Sequence, residues 1–107
     1  MGASYEYLIE NVSEREVGIP KVFGLYQNYP NPFNPTTTIS YDIAQSGNVS
    51  LKLYDIRGKE VLTIFKGYQE VGKYKTQLSA TDFASGVYFL QLRAGEFSTN
   101  IKIVIAK

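Results

Sequence analysis

The clearest pattern in the chain is the stretch Thr36-Thr37-Thr38-Ile39-Ser40-Tyr41-Asp42-Ile43. From Ile39 onward every second residue is apolar, and the residues between them are polar. Successive side chains of a β-strand point to opposite faces, so Ile39, Tyr41 and Ile43 share one face. The stretch therefore predicts a strand with one face in a hydrophobic core and the other in solvent.

Strand patterns recur around this stretch at a short, regular spacing. The domain begins at residues 24–28, and further strands are predicted over 49–54, 60–66, 73–79, 87–93 and 97–105. Turn-forming residues separate most of them, and Gly58 is expected to close one turn with a positive φ. No segment sustains the helical period of 3.6. The series predicts an all-β fold, an immunoglobulin-like antiparallel β-sandwich of about seven strands.

Composition excludes several classes of protein. The 107 residues are 44% apolar and carry a net charge of only +1, with no Cys, no His and no Trp. Disulfides, thiolate zinc sites and catalysis by thiol or imidazole are therefore excluded, as is an antibody-type domain. The basic residues from Lys52 to Lys75 are spread along the chain, so no nucleic acid is expected as a partner. No apolar run approaches the roughly 20 residues of a membrane helix, so no direct membrane insertion is expected.

The first 23 residues differ from the remainder. They are more polar and less periodic, and they lack the apolar core of a signal peptide. We expect residues 1–23 to be a linker or the tail of a preceding domain, and residues 24–107 to be the domain itself. The alternative is an additional edge strand, because Tyr5, Tyr7 and Ile9 alternate with other residues. We also expect the chain to be part of a longer protein.

One segment is exceptionally rich in proline: Tyr29-Pro30-Asn31-Pro32-Phe33-Asn34-Pro35. Proline fixes φ and has no N–H, so three prolines in six residues exclude a helix or a central strand. Each residue before a proline is restricted to extended geometry. The segment is predicted to be a rigid, extended crossing.

No catalytic centre is apparent among the polar residues. Several of the carboxylates from Asp42 to Glu96 lie in or beside predicted turns, and these carboxylates are expected to cap turns or face solvent. No serine lies in a nucleophile motif, so the chain is predicted not to be an enzyme. No metal or other cofactor is predicted. Calcium ligands are available in principle, but without a calcium-loop spacing, at Asn31, Asn34, Asp55 and Asp82.

Five tyrosines are candidates for a sugar-binding surface if they converge on one face. They are Tyr26, Tyr29, Tyr54, Tyr68 and Tyr74. The alternative is that their rings complete the edges of the core while their hydroxyls stay in water.

Three blocks in a fixed order closely resemble a known family. The first is residues 25–39, with the proline segment inside it, and the second is residues 49–61, with Leu53-Tyr54-Asp55-Ile56-Arg57-Gly58. The third is residues 85–92, with Gly86-Val87-Tyr88, followed by Ile101-Lys102-Ile103-Val104 and Lys107. Together they resemble the type A C-terminal sorting domain of the type IX secretion system. They are also similar to the immunoglobulin-like domain of flagellar hook-capping proteins.

The resemblance implies a function in export. Such domains end cargo proteins that pass through the periplasm and reach the outer-membrane surface or the medium. The implied partners are the outer-membrane translocon, its shuttle protein and, in many members, a sortase that would act before Gly24. No oligomeric state follows from the sequence.

The resemblance also suggests which residues meet the translocon. The candidates are Pro30, Asn31, Pro32, Phe33, Asn34, Pro35, Gly86, Tyr88, Lys102 and Lys107. A purely structural role is an open alternative, in which the proline segment seals the sandwich and protects an edge, and Gly86 and Tyr88 supply a turn and a buried ring. The last strand is expected at a sheet edge, where it could pair with a partner strand. The rival functions are a structural spacer or assembly module and a carbohydrate-binding module of a secreted hydrolase.

Overall fold

A computed structural model describes residues 19–107 of the chain. They form seven strands: β1 (Gly24–Leu25), β2 (Thr36–Ile43), β3 (Gly47–Tyr54), β4 (Glu60–Gln69), β5 (Gly72–Ser79), β6 (Gly86–Ala94) and β7 (Phe97–Ile105). All strand pairs are antiparallel, in a three-stranded sheet of order β1-β2-β5 and a four-stranded sheet of order β4-β3-β6-β7. The predicted seven-stranded antiparallel sandwich is confirmed.

The core lies between the two sheets and follows the alternation in the sequence. Ile39, Tyr41 and Ile43 of β2 are buried, as predicted, and they face buried leucines and isoleucines of the four-stranded sheet. At the centre of that sheet Leu51 and Leu53 are fully buried. Burial of each such side chain stabilises the fold by about 1.5–3 kcal/mol.

Strand β4 departs from its prediction, because it continues to Gln69 instead of ending at residue 66. Its pairing with β3 shifts register between Leu51 and Lys52 and again between Leu53 and Tyr54. Each irregularity adds a residue to β4 and interrupts the alternation of its side chains. The irregularities explain why Val61-Leu62 and Ile64-Phe65 occur as adjacent apolar pairs.

The turn between β3 and β4 is held by the side chain of Asp55. Its Oδ1 accepts hydrogen bonds from the backbone N–H of Arg57 and of Lys59, both at 2.9 Å. The backbone closes the same turn, since Asp55 and Lys59 also pair directly. Gly58 has a φ of 86°, which confirms the expected left-handed conformation.

The boundary predicted at residue 24 stays a prediction. Just before it, Pro20 is buried, and the ring of Phe23 stacks on that of Phe97 with centroids 5.1 Å apart. The alternative strand at residues 5–10 lies outside the described residues. Across residues 19–107 there is no helix long and apolar enough to cross a membrane.

Candidate functional site

The proline segment crosses from one sheet to the other and closes one side of the sandwich. At its start, Tyr29 exchanges two backbone hydrogen bonds with Thr38 of β2, at 3.0 and 3.1 Å. At its centre, Phe33 forms a parallel bridge to β7, donating to Val104 O and accepting from Ala106 N at 3.1 Å each. The segment therefore connects both sheets along its own backbone.

Side chains fix the segment in this path. Asn28 is only 2% exposed, and its amide donates to Pro30 O at 3.1 Å and to Thr37 Oγ1 at 3.0 Å. The Thr37 hydroxyl in turn donates to Pro30 O at 2.7 Å. The ring of Phe33 enters the core, and Asn31 Oδ1 accepts from Val104 N at 3.0 Å. The X–Pro peptide bonds before Pro30, Pro32 and Pro35 are cis.

Strand β7 is the edge strand that the sequence predicted. Its C-terminal half is already covered, because Asn31 and Phe33 take the outward-facing backbone groups of Val104. Gln27 Nε2 donates to Lys102 O at 3.0 Å and extends the cover. The structural role considered for the proline segment, protection of an edge, is thus visible in its contacts.

Gly86 and Tyr88 lie on the other side of β7. They pair with Ile105 and Ile103, so β7 runs between them and the proline segment. The ring of Tyr88 is buried and meets Phe83 edge-on at 6.0 Å, and its hydroxyl donates to Ala84 O at 2.8 Å. These contacts fix the loop that precedes β6.

Lys107 is fastened to that same loop. Its backbone N–H donates to Ser85 Oγ at 3.0 Å, and its Nζ donates to Thr81 O at 2.9 Å. Ala80 N donates to Pro35 O at 2.7 Å, which ties the loop to the proline segment. The proline segment (29–35), the loop 80–86 and residues 103–107 form one end of the molecule, called the proline end below.

The structure brings the ten candidate residues together around β7 but divides them by exposure. Phe33 and Tyr88 are buried and Gly86 is half-buried, so these three support the surface from within. The exposed members are Pro30, Asn31, Pro32, Asn34, Pro35, Lys102 and Lys107. Lys102 lies on β7 itself, opposite Phe89.

Two features of this region were not among the candidates. Asn28 holds the proline segment from inside, and the turn after Tyr54 lies beside Gly86 and Tyr88, separated from them by a groove of about 350 Å³. Ile56 at the tip of that turn is 72% exposed. In the sequence, the only indication of a function for this turn was an apolar residue inside an otherwise polar turn.

Within the described part of the chain, no three His, Cys, Asp or Glu side chains are placed to hold a metal ion. Asp55 caps a turn as expected. Asp42 was predicted to face solvent or cap a turn, but it is buried, with only 6% of its surface exposed. It accepts a hydrogen bond from the Tyr26 hydroxyl, and its Oδ2 lies 3.6 Å from Lys73 Nζ. The hydrogen bond to Asp42, followed by desolvation, raises the pKa of Tyr26.

The five tyrosines do not gather on one face. Tyr26 bonds Asp42, Tyr54 donates to Gln91 Oε1 at 3.4 Å, and Tyr74 donates to Glu70 O at 2.6 Å. Tyr29 and Tyr68 are 81% and 62% exposed but belong to the proline segment and to β4. This distribution does not build a sugar-binding surface.

Comparison with known proteins agrees with this geometry. No curated protein matches the chain. A family model described as secretion system C-terminal sorting domain matches residues 27–106, which include the proline segment and all of β7. The chain belongs to that family and is a C-terminal sorting signal for type IX secretion.

Proposed function

We propose that the translocon and its shuttle protein read this domain as a folded surface, and that the surface is the proline end. Membership of the family implies export of the cargo out of the cell through the type IX system. The observation that carries the proposal is the hydrogen bonding of Asn31 and Phe33 to Val104 and Ala106. It joins two distant parts of the family pattern into one surface.

A folded surface is favoured over a linear peptide by the way the segment is held. The Asn28 amide and the Thr37 hydroxyl both bind Pro30 O from inside the sandwich. These contacts exist only once β2 and the segment are in place. The surface is then pre-organised, and a partner does not have to order it on binding.

Strand pairing by a partner is restricted to the first half of β7. The backbone of Val104 faces away from β6, and backbone groups along a strand alternate in direction, so those of Ser98 and Asn100 also face outward. Their N–H and C=O groups have no hydrogen-bond partner within residues 19–107. β1 lies close to β7 and the ring of Phe23 stacks on that of Phe97, so a partner strand that paired with these groups would have to displace the chain at β1.

Cleavage by a sortase, where it occurs, would fall before Gly24, as the resemblance suggests. Pro20 is buried and Phe23 stacks on Phe97, but Ile19 and Val22 are 53% and 71% exposed, so a second protein could reach the segment at these two residues. The cargo would then stay on the outer-membrane surface, whereas uncleaved or unanchored cargo would be released. The domain itself contributes recognition and no catalysis.

The test is export of a fluorescent reporter that carries an inner-membrane signal and ends in residues 1–107. A second fusion stops at Gly95, which removes β7 and therefore the partner of the proline segment. We expect the first to leave the cell and the second to stay in the periplasm, with both soluble. Export of both fusions, or of neither, would contradict the proposal.

A further inference from the structure

The outer face of the four-stranded sheet has a composition unlike the rest of the surface. The register places Lys66, Ser50 and Arg93 in one row across β4, β3 and β6. The next two rows bring Lys52 beside Gln91 and Phe89 beside Lys102. Residues that are scattered through the sequence thus share one face.

This face is cationic. Lys52, Lys66, Arg93 and Lys102 oppose a single carboxylate, Glu60, which lies 3.3 Å from Lys52 Nζ and accepts from the Thr63 hydroxyl at 2.6 Å. The Thr63 hydrogen bond holds the pKa of Glu60 below its ordinary range. Lys66, Arg93 and Lys102 form no ion pair with any residue of 19–107. Glu60 also attracts Lys66 at longer range, so Arg93 and Lys102 are the two cations of this face that have no carboxylate partner within residues 19–107.

Apolar side chains lie within this charged face. Tyr54 and Phe89 are half-buried, and together with Ile56 they border a shallow depression of about 560 Å³. Its polar lining includes Gln91, Arg93 and the carboxylate residue Asp55. Aromatic and arginine side chains around an exposed apolar anchor are typical of the energetic centre of protein interfaces.

Ile56 is presented by a rigid turn. The Asp55 carboxylate and the backbone pair of Asp55 with Lys59 fix the turn from below. A turn whose backbone is held in this way has little backbone entropy to lose on binding. Arg57 follows it directly and adds a further cation at the rim of the depression.

We propose that this face docks on an acidic protein surface with an apolar pocket, Ile56 entering the pocket and Arg93 and its neighbouring cations meeting the acidic rim. The inference rests on the proposed function, since the partner belongs to the type IX apparatus. Lys102 lies on this face and directly precedes Ile103, where the proline end begins, so one partner spanning both would contact a continuous surface.

The test uses the exported reporter fusion with single substitutions. Ile56→Asp would place a charge in the partner's apolar pocket, and Arg93→Glu reverses the charge that faces the partner's acidic rim. Their controls are Val71→Asp, an exposed apolar residue at the turn between β4 and β5, and Lys75→Glu on the other sheet. Arg93→Lys preserves the charge. Melting temperatures of the purified domains report whether each variant folds.

We expect Ile56→Asp and Arg93→Glu to lower export about tenfold or more at unchanged melting temperature, while Val71→Asp, Lys75→Glu and Arg93→Lys export like the parent. Parental export by Ile56→Asp alone would show recognition by charge only and overturn the apolar pocket. Parental export by all variants, or equal loss in the controls, would overturn the inference while the proposed function stands. If the parent fusion itself is not exported, the proposed function is contradicted.

Discussion

At the scale of single residues, Asn28 shows most clearly how the surface is built. A buried amide must have hydrogen-bond partners, and Asn28 finds them in Pro30 O and Thr37 Oγ1 while accepting from Gln27 Nε2. An asparagine two residues before a proline is typical of an exposed turn, so the burial of Asn28 could not be predicted from the sequence. Asn28 can hold the segment only when β2 is in place, because its partner Thr37 belongs to that strand.

Asn28→Ala is expected to lower the free energy of unfolding by about 1–3 kcal/mol, because it leaves buried polar groups without partners. Urea denaturation of the purified domain measures the change. Asn34→Ala, in the same part of the chain but exposed, is the matched control and should change stability by less than about 0.5 kcal/mol. Equal effects of the two substitutions would show that the buried network does not hold the segment.

Asp55 makes stability depend on pH in acid. The hydrogen bond from Lys59 N is the largest cause that holds the pKa of Asp55 below its ordinary value of 3.8. A depressed pKa means that the ionised form stabilises the folded state; this contribution is complete above the ordinary pKa and is lost as pH falls through the folded one. Asp55→Asn should therefore lower the melting temperature at neutral pH. The difference from wild type should narrow at about pH 3. A difference that is constant or widens in acid would contradict this explanation.

At the scale of elements, alternation in the sequence predicted most strands within a few residues. Strand β2 matches its prediction because one face is buried along most of its length. Strand β4 does not, because its two register shifts come from pairing with β3, which local sequence does not encode. The first strand is only two residues long, because its pairing with β2 is interrupted after Leu25 and is resumed only at the isolated bridge between Tyr29 and Thr38.

Phe33 links two elements, because its backbone covers the edge of β7 and its ring fills the core. Phe33→Ala is expected to cost about 3–5 kcal/mol of unfolding free energy, whereas Phe33→Leu keeps most of the volume and costs less than about 1.5 kcal/mol. Loss of the cover should also promote self-association of the alanine variant, which analytical ultracentrifugation would detect. A folded, monomeric alanine variant of wild-type stability would show that the edge needs no cover.

At the scale of the whole molecule, the sorting domain gathers residues from distant parts of the chain into two adjoining surfaces. The proline segment, Gly86 and Lys107 were recognisable as candidates from family resemblance, but their meeting around β7 depends on strand order. The cationic face was not predictable, because Lys52, Lys66, Arg93 and Lys102 are separated in sequence and form a face only through the register of four strands.

The most direct measurement is export of two reporter fusions that differ only in where an arginine is added. Asn34 is exposed on the proline end and Gln45 is exposed at the opposite end of the sandwich, so Asn34→Arg and Gln45→Arg make the same chemical change to two ends of one fold. Both should melt like wild type. If the proline end is the surface that the translocon reads, Asn34→Arg stays in the periplasm while Gln45→Arg is exported. Equal export of the two would contradict the account.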